Sequence, residues 1–175
     1  MIASEIGAKL RKQKCDVRFT REKDVEIDFE DKMSIGDKFN KYVFLSIGID
    51  YVKNNEKQSV DIIYSAIELN KGLFDSSNKK TDNFVSNQII RELIDKVLLK
   101  QTRSKKIAEL ISRNLINNGL KSKVMVKPNR MLFALKQPAI ILTVVMNKES
   151  NLDDVSDIIV DSVVNGILVA YPEWQ

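Results

Sequence analysis

The stretch Tyr42–Asp50, YVFLSIGID, decides the predicted fold. Six of its nine residues are large and apolar. Such a run is typical of a strand buried on both faces, and we predict this strand over 42–48. It ends at Gly48 and Asp50, where the polar run KNNEKQ begins. In open α/β sheets, sites form at the carboxyl ends of strands, so this end is the first place to look for one.

The composition indicates one globular domain, which we predict to span residues 1–175. Apolar residues make up 43% of the chain and charged residues 30%. Cys15 is the sole cysteine, so it has no partner for an intrachain disulfide. The chain has no histidine, which removes the commonest metal ligand and the commonest acid/base group at neutral pH. No apolar run reaches the length of a membrane span.

The net charge of +4 and the pI of about 9.0 raise the question of an acidic partner. Lysines alternate with acids along the chain, which favours a solvated surface over a nucleic-acid face. A basic stripe with stacking aromatic residues, which a single-strand binder needs, is not seen. A basic cytoplasmic binding module stays open as a minor alternative.

Helices and strands alternate in the predicted order. We predict helices over 2–14, 28–39 and 83–118, with a break at KQTRSKK where Ser104 caps the second half, and a last helix capped by Asn151. Strands are predicted at Asp16–Thr20, 42–48, Ser59–Ile67 (nearer an edge), Lys123–Val126, Met131–Leu135 and Pro138–Val145. Gly119 suits a left-handed position after a helix, and 70–82 reads as a mobile polar loop.

This order predicts a single α/β domain. We expect a mostly parallel or mixed sheet of about five or six strands, covered by helices on both faces.

Chemical motifs are scarce. The chain has no glycine-rich phosphate loop, no Cys/His metal spacing and no GxSxG elbow. Cys15 lacks a histidine to activate it and is interpreted as a small packed residue. The acids of residues 24–31 and those at Asp153 and Asp154 are interpreted as solvated residues near helix starts. Asp50 is the one acid beside the carboxyl end of a strand.

Four blocks of sequence resemble the zinc-dependent N-acetylmuramoyl-L-alanine amidases, which cut the bond between glycan and peptide in peptidoglycan. They follow the family's order along nearly the whole chain. In the first, Thr20, Arg21 and Asp24 match a strand that ends in Thr-Arg with a nearby Asp. The blocks are AKLRKQKCDVRFTREKD, KMSIGDKFNKYVFLSIGID, SKKIAELISRNLINNGLKSKVMVKPN and RMLFALKQPAIILTVVMNKESNLDD.

The resemblance also locates departures from the family. The family holds zinc with two histidines and a glutamate, and a further glutamate activates the zinc-bound water. Gly48 stands at the position of a zinc-binding histidine, and Thr143 at that of the catalytic glutamate. The other two ligands and the family's first strand are expected to lie upstream of Met1. We therefore expect neither a zinc cofactor nor catalytic residues, and a residual cleft at Ser46, Asp50 and Arg21.

The resemblance implies a catalytically inactive amidase-like domain with a binding or structural role at peptidoglycan or the cell envelope. A working amidase with unidentified ligands, or with a missing N-terminal segment, is the alternative. Peptidoglycan, an envelope protein, a partner that completes the sheet, or a homo-oligomer are the expected partners. The family implies a periplasmic or envelope location, whereas the amphipathic N-terminus does not resemble a signal peptide.

Overall fold

Four strands form one mixed sheet in the order β1-β4-β2-β3. The computed structural model describes residues 2–21, 27–37, 42–52, 58–66 and 84–172. In this part of the chain the strands are β1 (Phe44–Val52), β2 (Ser59–Tyr64), β3 (Lys121–Val126) and β4 (Ala139–Asn147). The helices are α1 (Ile2–Lys12), α2 (Phe29–Asp37), α3 (Phe84–Asn117), α4 (Arg130–Ala134) and α5 (Asp153–Ala170).

Strand direction makes the sheet mixed. β1 runs parallel to β4, β2 runs parallel to β3, and β2 and β4 are antiparallel. The predicted α/β class is confirmed, with four strands among the described residues rather than five or six. Two predicted strands are not observed: Asp16–Thr20 pairs with no other described segment, and residues 130–134 are helical. Asn129 explains the helix, because its side chain accepts a hydrogen bond from the Leu132 N–H at 3.0 Å.

One face of the sheet, which we call the core face, carries the main hydrophobic core. Ile140, Leu142 and Val144 alternate along β4 and are fully buried. The buried stripes of α3 and α5 pack onto them, including Ile111 and Ile159. Each such side chain stabilises the fold by about 1.5–3 kcal/mol through removal from water. α1 joins this layer through α5, where Lys9 donates a hydrogen bond of 2.6 Å to Asp161, which raises the pKa of Lys9.

The opposite face, which we call the open face, is covered at one end. There α4 and the residue after it place Leu132 and Leu135 against the sheet. They pack with Phe44, Ile63 and Ile141 of three different strands. Helices therefore cover both faces, as predicted, although the described residues cover the open face only in part.

The positions of two strands correct the predictions. β1 was expected to be buried on both faces, yet it lies at an edge and is exposed from Gly48 to Tyr51. β2 was expected near an edge, yet it lies between β4 and β3. The apolar content of a strand was misleading because β1 keeps large apolar residues at the edge. β4, predicted from PAIILTVV, is the buried interior strand.

α3 is continuous, so the predicted break at KQTRSKK is wrong. Its 34 residues span about 51 Å at 1.5 Å per residue. Ser104 lies inside the helix rather than at a cap. Its hydroxyl donates to the Lys100 carbonyl at 2.9 Å and accepts from the Ala139 N–H at 3.1 Å. The serine thus ties the helix to the start of β4.

Helix ends agree better with the sequence. Gly119 follows α3 with a φ of +86°, which confirms its predicted left-handed position. The Asn151 side chain accepts a hydrogen bond from the Asp153 N–H at 3.1 Å, so it caps α5 as predicted. The loop predicted at 70–82 lies outside the described residues. Across the residues that the structure describes, no helix is long and apolar enough to cross a membrane.

Candidate functional site

The register of the sheet brings Gly48 and Thr143 side by side. Gly48 of β1 is the direct partner of Thr143 of β4. Thr143 in turn is paired with Asp61 of β2, and Asp61 with Lys123 of β3. Residues paired across strands project to the same side of a sheet. The four positions therefore form one row on the open face, beyond the end that α4 covers.

Two of the predicted cleft residues flank this row on β1. Ser46 precedes Gly48 by two residues and Asp50 follows it by two, so all three share the open face. Ser46 is half-buried beside Ile141, and Asp50 is exposed beside Val145. Ser46, Gly48 and Asp50 of β1 therefore lie on the same face as Thr143 of β4. Their role as a residual cleft stays a prediction.

Arg21, the third predicted cleft residue, is not part of the sheet. It is exposed and lies at the end of the irregular segment that follows α1. Its place in the cleft stays a prediction, because the residues that follow Arg21 lie outside the described part of the chain.

Asp61 belongs to the row and was missed by the sequence analysis. The segment SVDIIY was recognised as a strand, but its polar positions were not assigned to a face. Its burial alternates, with Val60, Ile62 and Tyr64 buried on the core face. That period of two places Asp61 on the opposite side, so the signal was present in the sequence.

A shallow, open depression lies where β2 and β3 begin, beside the end of α3. Its volume is about 600 Å³, and Ser59, Asp61, Lys121 and Lys123 contribute to its lining together with Gly119 at the end of α3. The open face therefore offers hydroxyl, carboxylate and ammonium groups. Such groups can hydrogen-bond a polar ligand.

Gly48 is not a glycine for conformational or packing reasons. A Cβ atom placed there meets nothing within 4 Å, and its φ is not in the left-handed range. Most side chains would fit at this position. Neither the backbone nor the packing of the fold therefore requires glycine at position 48, and the space beside Thr143 is open.

The residues present do not fit a zinc site at this row. Catalytic zinc takes three protein ligands from imidazole, thiolate or carboxylate groups. Gly48 has no side chain, and Thr143 carries a neutral hydroxyl. Within the described ranges, no group of three His, Cys, Asp or Glu side chains could hold a metal ion.

Cys15 is a packed residue, in agreement with its interpretation from sequence. It is half-buried and packs against the main core. Burial raises the pKa of its thiol, which disfavours the reactive thiolate. It contributes no nucleophile to the open face.

Solved structures share this fold. The catalytic domain of CwlV, an N-acetylmuramoyl-L-alanine amidase from Bacillus (Paenibacillus) polymyxa var. colistinus, matches with a TM-score of 0.67 at 14% identity, over 99% of this chain and 82% of that one. The CwlD amidase from Clostridioides difficile, in complex with the GerS lipoprotein, matches at 0.66 and 12% identity, over 98% and 83%. The amidase Ami1 from Mycobacterium smegmatis gives 0.64 and 12%, over 98% and 74%.

Sequence comparison gives the family directly. No protein of curated function matches the chain by sequence. A family model described as N-acetylmuramoyl-L-alanine amidase, however, matches residues 1–167. That match covers nearly the whole chain and agrees with the shared fold. The chain therefore belongs to the N-acetylmuramoyl-L-alanine amidase family.

Proposed function

We propose that this chain is an amidase-like domain without hydrolase activity that binds peptidoglycan or a partner in the cell envelope. The observation that carries the proposal is the pairing of Gly48 with Thr143 on the open face. These are the two positions at which the resemblance implies a zinc-binding histidine and a catalytic glutamate. The fold has kept the two positions together while neither residue can perform the implied chemistry.

Hydrolysis by this family's mechanism needs both a bound metal and a general base. Without three ligands there is no bound metal to lower the pKa of water or to polarise the amide carbonyl. A threonine hydroxyl does not accept a proton at neutral pH as a glutamate does. The loss of the metal or of the base alone would suppress hydrolysis. In this proposal both are lost, at Gly48 and Thr143 of the same row.

The binding role rests on the groups that remain. Ser46, Asp50 and Asp61 lie on the open face, with Lys121 and Lys123 at its far side. Peptidoglycan stem peptides carry amide, amine and carboxylate groups that such side chains can hydrogen-bond. CwlD is found in complex with a lipoprotein, which supports a protein partner as the other form of this role.

The proposal is tested with purified protein and peptidoglycan sacculi. We expect no release of stem peptides, with or without added zinc, when the products are separated by HPLC and identified by mass. Zinc binding accompanied by peptide release would overturn the proposal and establish the alternative, a working amidase.

The same sacculi test the binding role. We expect the unaltered protein to co-sediment with sacculi. The double variant Asp50→Ala/Asp61→Ala should lose most of this binding. Asp157→Ala is the matched control, because Asp157 is an exposed acid on α5, away from the open face. Failure of the unaltered protein to co-sediment would exclude the wall-binding form of the role.

Restoring the two side chains does not restore the enzyme. For Gly48→His combined with Thr143→Glu we expect a folded protein that still releases no stem peptide. The reason is that position 48 supplies one ligand and position 143 a base, whereas catalytic zinc needs three ligands. Hydrolysis by this variant, at a rate above that of the unaltered chain, would show that further ligands are present.

A further inference from the structure

Positive charge is concentrated in one stretch of the chain. Residues 96–136 hold eleven of the 28 lysines and arginines but only one of the 24 acids, Glu109. The rest of the chain is therefore net negative, although the whole carries +4. The alternation of lysines with acids, which favours a solvated surface, does not continue through this stretch. Charge segregated in this way is typical of a surface that meets an anionic partner.

β3 brings three of these lysines into one line. Lys121 and Lys123 lie on the strand, and Lys127 follows it, with its N–H donating to the Tyr64 carbonyl at 3.1 Å. Alternate residues of a strand share a face, and the pairing of Lys123 with Asp61 identifies this one as the open face. All three lysines are exposed. We call Lys121, Lys123 and Lys127 the lysine strip.

The lysine strip is not neutralised within the part of the chain that the structure describes. There, its three ammonium groups make no hydrogen bond and no ion pair. Asp61 is the ladder partner of Lys123, yet the two side chains form no ion pair. Lys121 and Lys123 are two residues apart, about 6.6 Å along the strand, which is inside the Debye length of about 8 Å at physiological salt. Their charges therefore repel each other, and an anion bound between them would relieve this repulsion.

We propose that the lysine strip binds a phosphodiester polymer of the cell envelope, with phosphate groups at Lys121, Lys123 and Lys127. The inference rests on the proposed function only for the location of the partner. It adds a second ligand surface, on β3, to the row that contains Gly48 and Thr143.

The spacing of the strip fits a polymer with a short repeat. Lysines on one face of a strand recur every two residues, or about 6.6 Å. A chain with one phosphate for each three-carbon unit presents its charges at a comparable spacing. Consecutive phosphates can therefore meet Lys121 and Lys123, and Lys127 lies two steps further along. The carbon units can contact Ile116 and Leu120, which line the depression beside Lys121 and Lys123.

The strip favours a polymer without bases. Proteins that bind single-stranded nucleic acid combine a basic groove with aromatic side chains on which the bases stack. The segment 121–127, KSKVMVK, has no aromatic residue. The depression beside it is lined by aliphatic, hydroxyl and charged side chains. A polyol phosphate needs ammonium groups and no stacking surface, so it matches the strip better than a nucleic acid does. Lysines at an edge strand also discourage pairing with other strands, but that role requires no regular spacing on one face.

The first test measures how binding depends on salt. Fluorescence anisotropy follows the binding of end-labelled poly(glycerol phosphate) to the purified chain. Three phosphate contacts should give a slope of about −2 for log K against log salt, because each contact releases about 0.7 counterion. Raising the salt from about 50 to about 200 mM should thus weaken binding about 16-fold. Absence of binding at the lower salt, or a slope near zero, would overturn the proposal.

The second test locates the contacts. Lys121→Gln/Lys123→Gln should weaken binding by about tenfold or more at low salt and bring the slope to about −0.7, since one contact remains. Lys12→Gln/Lys14→Gln is the matched control, because it removes the same charge from exposed positions at the end of α1. It should keep the slope of the unaltered chain. Equal losses in the two variants, with both folded by circular dichroism, would mean that only net charge matters and would refute the strip.

The last comparison identifies the class of polymer. An oligo-dT with the same number of phosphates should bind no more tightly than poly(glycerol phosphate). Tighter binding of oligo-dT would assign the strip to nucleic acid and overturn the proposal. Sacculi stripped of phosphate polymers test the proposed function separately. Sacculus binding without polymer binding refutes the strip alone, whereas polymer binding without sacculus binding refutes only the wall-binding form of the proposed function.

Discussion

The position of Gly48 in the sheet, rather than its backbone conformation, makes this residue informative. Gly48 lies at the centre of β1, Phe44–Val52, and not at a strand end as the sequence predicted. A glycine inside a strand usually answers a need for unusual backbone or close packing. Neither applies at Gly48, where a Cβ atom has nothing within 4 Å. Its significance comes from Thr143, which the register places directly beside it. The two positions at which the resemblance implies departures from the family pattern therefore lie in one small area of the surface.

Lys14 differs from Gly48, because its backbone conformation is one that favours glycine. Lys14 has a φ of +64°, in the left-handed range, directly after α1. Its N–H donates to the Arg11 carbonyl at 2.9 Å, and the Cys15 N–H donates to the Leu10 carbonyl at 3.1 Å. This is the Schellman arrangement, in which the left-handed residue is usually glycine.

Lys14→Gly should stabilise the protein. The left-handed conformation costs a side-chain-bearing residue about 1–2 kcal/mol, part of which glycine gives back as greater entropy when unfolded. We expect the free energy of unfolding, measured in urea, to rise by about 0.5–1 kcal/mol. Gly119→Ala, at the matching position after α3, should lower it by about 1 kcal/mol. A destabilised Lys14→Gly would mean that the lysine side chain contributes more than its backbone strain costs.

At the scale of the elements, a glycine in α5 allows α3 and α5 to pack closely. α5 presents Gly166 to α3 at the level of Ile111. A Cβ atom at position 166 would lie 2.5 Å from Ile111 Cγ1 and 3.0 Å from the Ile111 backbone nitrogen. A side chain could rotate away, but a helix backbone cannot yield locally. The absence of a side chain at Gly166 therefore sets the distance between the two helices.

Gly166→Ala should separate these helices and weaken the fold. Overpacking of a core costs about 1–3 kcal/mol, partly offset by the better helix propensity of alanine, about 1 kcal/mol. We expect a net loss of up to about 2 kcal/mol in urea unfolding. Asn165→Ala, at an exposed neighbouring position, should change the value by less than about 0.5 kcal/mol. Equal effects of the two substitutions would contradict the close contact.

At the scale of the whole molecule, a single core connects elements from both ends of the chain. Its buried residues include Ile6 of α1, Ile62 of β2, Ile107 of α3, Leu142 of β4 and Val163 of α5. The core therefore combines residues that are far apart in the sequence. This arrangement supports the prediction that residues 1–175 form one domain.

The unfolding transition tests that prediction. We expect far-UV and near-UV circular dichroism to report one coincident urea transition, because loss of α1 or α5 exposes the same core that the strands share. Ile6→Ala should shift both signals together, by about 2–4 kcal/mol. Two separated transitions, or a shift in only one signal, would indicate that the N-terminal part unfolds as a unit of its own.

Prediction from sequence succeeded where local chemistry decides. The cap at Asn151, the left-handed Gly119 and the buried strand at PAIILTVV followed from residue types and spacing. It failed where neighbours decide. KQTRSKK looks like a break, yet α3 continues through it because Ser104 bonds the Lys100 carbonyl within the helix and the Ala139 N–H outside it. The strand predicted at Asp16–Thr20 forms no ladder with any other segment that the structure describes.

The sequence by itself determined the class of fold and the family, and its resemblance to the family singled out Gly48 and Thr143 as the positions where a zinc-binding histidine and a catalytic glutamate are expected. These depend on the order and identity of residues, which are read along the chain. Only the tertiary structure decided that the two positions are paired, that Asp61 joins their row, and that β1 lies at an edge of the described sheet. Strand order and register depend on contacts between segments far apart in sequence, and no local pattern encodes them.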